Sequence, residues 1–188
     1  MAAGAALKFT SLRLSDPIWV ETAMAFSRIR AARVDDAAEL VQIAVRATKR
    51  DGYDDGAICR FMPGLKVNPA LIAAGLVFVA EDEQGVPLGY VALRPTGMGG
   101  LMLLEGIFVD PVCSRSGVGT RLFATAVKHS RKMAGSVILV YSSPHAVGFY
   151  ARLGAFQIGT TPFVFSPDVQ LSMFAFSIPP LEENGASA

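Results

Sequence analysis

The segment Leu101 to Val109 is apolar but for Glu105 and ends in Asp110-Pro111. A glycine-spaced loop follows, Ser114-Arg115-Ser116-Gly117-Val118-Gly119-Thr120, and opens into helical periodicity that runs to Lys132. Val118, Leu122, Ala126 and Val127 fall on one face of that helix, and Val137 to Tyr141 is a second continuous apolar run. A strand, a long helix and a second strand rejoin one sheet as a parallel pair linked by a right-handed crossover. The loop adds chemistry to this constraint. Gly117 and Gly119 remove side chains that would keep an anion from the backbone. The amides there point to the positive end of the helix dipole, which is a site for phosphate.

Around this unit the pattern is antiparallel. Arg28-Ile29-Arg30 alternates like a strand, and Asp36-x-x-Glu39 reads as a capping box for a helix carrying Ala37, Leu40, Val41, Ala44 and Val45. A polar loop, Lys49 to Asp55, precedes a short helix at Ala57 to Phe61, which Pro63-Gly64 is expected to end. Asn68-Pro69 starts a further helical turn through Ala73. Leu76 to Ala80 and Leu88 to Leu93 form a hairpin about the turn Glu81 to Gly85. Near the end, Ala146, Phe149, Tyr150 and Leu153 share a helix face before Gly154. Phe156 to Gly159 and Gln170 to Ile178 read as the last strands. The expected order is β-α-α-β-β-β-α-β-α-β-β.

Composition narrows the function classes. Of 188 residues, 52% are hydrophobic and 18% charged, which supports a sizeable core and argues against disorder. A net charge of +1 provides no whole-molecule field toward nucleic acid or anionic lipid, so neither is expected as a partner. No apolar run approaches a membrane span, and Met1 to Ala6 lacks the pattern of a signal peptide. Cys59 and Cys113 have no metal-ligand spacing, and two free thiols suit a reducing compartment. The expected location is cytoplasmic, with no metal. The expected organisation is an N-terminal extension at 1–26, one domain at 27–180 and a polar tail at 181–188.

Two common phosphate motifs do not fit the glycine loop. A dinucleotide fingerprint needs a third glycine where Leu122 stands, and no Gly-Lys-Ser/Thr run of a P-loop occurs. Three segments taken together resemble the GNAT family of N-acetyltransferases. They are Val109-Asp110-Pro111, the family's Val-x-Pro; Arg115-Ser116-Gly117-Val118-Gly119, its Gln/Arg-x-x-Gly-x-Gly/Ala loop; and Ala146-x-x-Phe149-Tyr150-x-Arg152-Leu153-Gly154-Ala155-Phe156, its Ala-x-x-Phe-Tyr-x-x-x-Gly-Phe segment. The resemblance spans Arg28 to Ile178 and departs in places. Ser114 stands where the family has Gln or Arg, Ser143 where many members have Asn, and Ala155 separates Gly154 from Phe156.

The resemblance implies an α/β chain of the α+β type with the GNAT fold. That fold is a mixed, mostly antiparallel sheet of six to seven strands with one parallel crossover, flanked by about four helices. It also implies acetyl-CoA as cosubstrate. The amides of Arg115, Ser116, Gly117, Val118, Gly119 and Thr120 would hold the pyrophosphate, with Ser114 beside them. The backbone of Ile107, Phe108 and Val109 would pair with the pantetheine arm, near Ser143 and Phe149. Tyr150 would be the general acid for the leaving thiolate; helical spacing alone favours a core tyrosine beside Phe149 and Leu153. Glu105 is the candidate base, a carboxylate in an apolar strand whose pKa burial would raise, or else an ion-paired glutamate. Ordered water can serve in its place.

His145 reads as a cap-region residue within reach of substrate. His129 reads as part of a solvated face with Lys128, Arg131 and Lys132, or as a contact to the adenosine phosphate. Asp51, Tyr53, Asp54 and Asp55 either attract a cationic amine or form a polar loop. Phe163, Phe165, Phe174 and Phe176 either wall an apolar pocket or belong to the core or a dimer contact. The expected reaction is acetyl transfer to a primary amine, on a small molecule first, on a protein lysine or N-terminus second. A CoA-binding module without turnover is the reading from another class, and a homodimer stays open.

Overall fold

The computed structural model describes residues 27–179; the extension at 1–26, with the turn expected at Asp16-Pro17 and the patch Ile18-Trp19-Val20, and the tail at 181–188 lie outside the described residues. The strands are β1 (Arg28–Ala31), β2 (Val77–Glu81), β3 (Pro87–Pro95), β4 (Leu101–Val109), β5 (Val137–Ser142), β6 (Phe156–Phe163) and β7 (Ser166–Ser177). The helices are α1 (Ala37–Arg50), α2 (Asp55–Leu65), α3 (Pro69–Ala73), α4 (Val118–Lys132) and α5 (Val147–Arg152). One sheet holds all seven strands in the order β1-β2-β3-β4-β5-β7-β6, and only β4 and β5 run parallel. This is the expected GNAT fold, with five α-helices among the described residues where about four were expected.

Both faces of the central strands are covered, which is why β2 is buried at every position rather than alternately. Alternation still sorts its side chains. Val77 and Val79 of β2, with Tyr90 and Ala92 of β3, join the core under α1 and α2 around Leu40, Ile43, Ile58 and Phe61. Phe78, Ala80, Val91 and Leu93 join the opposite core, with Val118, Leu122, Ala126 and Val127 of α4 and Ile138 and Val140 of β5. Period-2 strands between period-3.6 helices thus produce a three-layer stack.

The parallel pairing of β4 and β5 is short. It runs from Leu101↔Val137 to Leu104↔Val140 and stops. At that point β4 carries a bulge against β3: Leu104 pairs with Leu93 and Gly106 with Ala92, so Glu105 is the extra residue. A bulge bends its strand. Beyond it, residues 106–109 stay with β3, while Tyr141 and Ser142 of β5 pair only with β7. The two strands part, and the parting faces the N-terminus of α4.

Three local expectations need correction. Asp36 does not cap α1 with its side chain; it accepts the Arg33 amide at 2.6 Å, closing the 3-10 turn Val34–Asp36, and holds Arg30 through both oxygens. The helix α2 continues past Pro63 to Leu65. Pro63 sits in the last turn, so only the final residues of the helix follow its lost backbone bond, and a side chain at Gly64 would strike the Phe165 ring, 2.9 Å from where its Cβ would be. His129 is no part of a solvated face: its ring lies 4.0 Å, centroid to centroid, from Phe78, and Nδ1 is 3.0 Å from the Thr125 carbonyl.

The edge strand β1 is held by charge. Glu81, 2% exposed, accepts from Arg28 Nε at 2.6 Å and Arg30 Nε at 2.5 Å. These guanidiniums hold the Glu81 carboxyl below the usual carboxylate range, and Arg30 does the same to Asp36. A depressed folded-state pKa contributes stability above the unfolded value of about 4, and loses it as pH falls through the lower folded value. Replacing Glu81 with alanine should therefore cost about 2–3 kcal/mol at pH 7 by urea unfolding. The difference from wild type should shrink as pH drops below about 4.

Candidate active site

Past Val109 the chain turns tightly. Asp110, buried, accepts the Val112 amide at 3.1 Å and opens the 3-10 turn Pro111–Cys113. Its carboxylate also accepts from Arg46 of α1, at 2.8 Å from Nε and 2.6 Å from Nη2, and Arg46 further holds Glu39 at 2.7 Å. Ser116 donates its hydroxyl to the Cys113 carbonyl at 2.6 Å. Arg115 (φ 63°) and Gly117 (φ 82°) then adopt left-handed backbone. For a non-glycine residue that conformation costs about 1–2 kcal/mol, a cost tolerated where the loop geometry is functional.

The result is a cluster of free donors. Among the described residues no carbonyl accepts from the amides of Arg115, Gly117, Val118, Gly119 or Thr120; the first intrahelical bond is Arg121 N–H to the Gly117 carbonyl, at 3.1 Å. Ser116 departs from expectation, because its amide is already given to the Cys113 carbonyl at 3.3 Å. Nothing stands within 4 Å of where a Gly117 Cβ would be, and a Gly119 Cβ would meet the Phe149 ring at 3.4 Å. The loop is thus open above Gly117 and roofed at Gly119 by Phe149.

A cavity of about 1530 Å³ runs from this loop along the parted end of β4 to the β6–β7 hairpin. It exceeds the roughly 300–1,000 Å³ usual for a single small ligand. Every site residue expected from the sequence lines it: Glu105, Ile107, Phe108, Val109, Ser114 through Thr120, Ser143, Phe149 and Tyr150. On its β5 side the backbone of residues 106–109 meets no strand, so those groups face the cavity. The Ser143 hydroxyl has no hydrogen-bond partner among the described residues.

Tyr150 stands both in the core and at the cavity. It is 4% exposed and packs among Phe149, Phe174 and Phe123, with ring centroids 5.1, 5.9 and 6.3 Å away. It also borders the cavity, and nothing among the described residues hydrogen-bonds its hydroxyl. Burial pushes its pKa well above that of free tyrosine, so the phenol is protonated at neutral pH. The environment expected for Glu105 is corrected. The bulge places it at an exposed position, where it pairs with Arg94 instead of standing alone among apolar neighbours.

The far end of the cavity is aromatic. His145 meets Tyr53 edge-on at 5.6 Å, Tyr53 meets Phe61 at 5.2 Å, Phe61 meets Phe163 at 4.9 Å, and Phe163 meets Phe165 at 5.4 Å. All five border the cavity. Phe174 and Phe176 instead pack with the α4 core. The acidic loop is mostly structural: Asp54 caps α2 through the Ala57 amide at 2.7 Å, and Asp55 pairs with Lys49 at 2.8 Å. Only Asp51 and Tyr53 of that loop reach the cavity. Sequence reasoning missed Phe61 and Arg50, whose positions in the wall depend on contacts far apart in the chain.

Comparison with known proteins agrees with this geometry. Residues 73–154 match the family model described as the acetyltransferase (GNAT) domain. No curated protein matches the sequence. Among solved structures, a GCN5-related N-acetyltransferase from Rhodopseudomonas palustris is similar at 21% identity and TM-score 0.65, over 84% of this chain and 99% of that one. A GNAT family acetyltransferase from Brucella melitensis, in complex with acetyl-CoA, is similar at 22% identity and TM-score 0.57, over 81% and 88%. Nourseothricin acetyltransferase is similar at 23% identity and TM-score 0.52, over 55% of this chain and 65% of its own length. The matched segment contains the parted strand, the anion loop and the helix of Tyr150, and the described chain has the GNAT fold.

Proposed function

We propose that the protein moves the acetyl group of acetyl-CoA directly to the primary amine of a small molecule. The observation that carries this reading is one cavity in which free loop amides, an unpaired strand edge and a protonated tyrosine meet. The residues fit the cosubstrate. The amides of Arg115, Gly117, Val118, Gly119 and Thr120 suit a diphosphate, and the backbone of residues 106–109 suits an extended amide-bearing arm, added like a strand. Bound acetyl-CoA supplies an acetyl group activated as a thioester.

The chain supplies the rest. A backbone amide of residues 106–109, which border the cavity, would stabilise the negative charge that develops on the thioester carbonyl. Tyr150 donates its proton to the leaving sulfur and regains one from solvent once the products leave; its raised pKa favours the protonated phenol at the start of each turnover, and the desolvated site favours a neutral thiol over a thiolate. Glu105, with Asp51 one of two carboxylates in the cavity wall, accepts the proton of the attacking amine directly or through water. The aromatic far end supports a small acceptor with an apolar body rather than a polycation. Among the described residues it offers Asp51 as its carboxylate, and Asp51 already faces Arg50 at 3.2 Å. The free thiols, Cys59 exposed and Cys113 buried, suit a cytoplasmic enzyme.

Calorimetric titration with acetyl-CoA, CoA and dinucleotide controls tests the cosubstrate, and an amine screen for thiol release tests the acceptor. Micromolar binding confined to the CoA ligands, with turnover on small amines above that on lysine peptides, is the expected result. Binding without turnover on any amine would support the non-catalytic module, and preference for peptides would support the protein acetyltransferase.

Tyr150→Phe should lower kcat about 100-fold with little change in CoA affinity, measured by thiol release and calorimetry. Because the hydroxyl has no partner among the described residues, the variant should unfold at the same urea concentration as wild type. Glu105→Gln should lower kcat/KM about 100-fold at pH 7. That deficit should shrink toward pH 10, where the amine loses its proton unaided; a constant deficit across the pH profile would remove Glu105 as base.

A further inference from the structure

Two arginines of α1 straddle the turn between β4 and α4. Arg46 holds Asp110 before the turn, and Arg50, one helical turn later, donates through Nη1 to the Ser114 hydroxyl after it. The spacing of four residues on the helix matches the spacing of four residues around the 3-10 turn. The two arginines are not equivalent. Arg46 is paired with two carboxylates, Glu39 and Asp110, and its charge is spent in structure. Arg50 meets a neutral hydroxyl, and its one carboxylate contact, Asp51 at 3.2 Å, is the longest ion pair among the described residues. Its side chain is 52% exposed and borders the cavity beside Ser114 and Arg115.

The anion loop needs such a charge. Its backbone donors are neutral amides, which together provide the partial charge of a helix end, roughly half an elementary charge, and the loop's own cation is Arg115. A diphosphate carries more than one full negative charge. Ser114, at the mouth of the loop, offers only a hydroxyl. We infer that Arg50, reaching across from α1, is the residue that recognises the diphosphate of the acyl donor at this loop, making donor specificity a joint property of α1 and the β4–α4 turn. This inference rests on the cosubstrate reading above. A guanidinium on a phosphate forms a charge-assisted, forked pair that the Ser114 contact already orients.

The test compares donors that differ in their phosphates: acetyl-CoA, its 3′-dephospho form, which keeps the diphosphate alone, and S-acetylpantetheine, which ends before the diphosphate. The readout is the ratio of kcat/KM for the 3′-dephospho form to that for S-acetylpantetheine in wild type, Arg50→Gln and Arg50→Lys, with urea unfolding as a control for folding. The ratio should fall about 10- to 100-fold in Arg50→Gln, be partly restored in Arg50→Lys, and depend less on salt in the glutamine variant. A ratio unchanged in Arg50→Gln, or equal losses with and without the diphosphate as a structural role would give, overturns the inference while leaving the cosubstrate reading intact. A wild type that does not prefer acetyl-CoA to S-acetylpantetheine overturns the cosubstrate reading, and this inference with it.

Discussion

The parting of β4 from β5 is the constraint on which the rest of the site depends. A parallel pair kept to its full length would bond every backbone group of residues 106–109 and leave no edge for a ligand. The bulge at Glu105 ends the pairing after Leu104↔Val140 and sends the two strands to different partners. The core tolerates this because each diverging half keeps one strand neighbour, β3 or β7. Buried backbone groups without partners are costly, so the opening has to be stabilised by what surrounds it.

Much of that support is electrostatic and comes from α1. Arg46 fixes Asp110 where β4 ends, so the strand leaves β5 but does not fray from the turn. The Ser116 hydroxyl bond to Cys113 then closes the 3-10 turn and holds Arg115 and Gly117 in their left-handed conformations. One side-chain contact from a distant helix thereby sets the direction of amides that belong to α4. The same residues that strain the loop are those that aim its donors, a coupling expected of binding sites rather than of passive turns.

The glycine loop, the parallel crossover and the helix of Tyr150 were legible in the sequence because each is local: periodicity and glycine spacing carry them within a few residues. What was not legible depends on register or on long-range contact. The alternation that placed Glu105 with Leu103 and Ile107 assumes an unbroken ladder; the bulge, visible only once β3 is paired, carries Glu105 to an exposed position beside Arg94. His129 falls in a basic run, and only packing shows that Phe78 of β2 lies against its ring. The capping box at Asp36 met the local rule, but Arg30 in the edge strand and the Arg33 amide take that carboxylate first. The aromatic wall joins Tyr53 and Phe61 to Phe163 and Phe165 from opposite ends of the chain, which no spacing rule connects.

Charge divides the cavity in a way that follows from this architecture. Arg50, Arg115, Arg121 and Arg152 border it, against the carboxylates Asp51 and Glu105. Each carboxylate already faces an arginine, Arg50 or Arg94. With four arginines against two carboxylates the wall carries an excess of positive charge, which attracts an anionic donor and gives little advantage to a multiply charged cation. The aromatic end adds apolar and π surface without formal charge, so its contribution to recognition is area and shape. Polarity at one end and aromatic surface at the other orient two reactants toward the junction, where the parted strand and Tyr150 stand. Orientation of that kind reduces the entropic barrier to direct transfer, since both reactants are held before the bond between them forms.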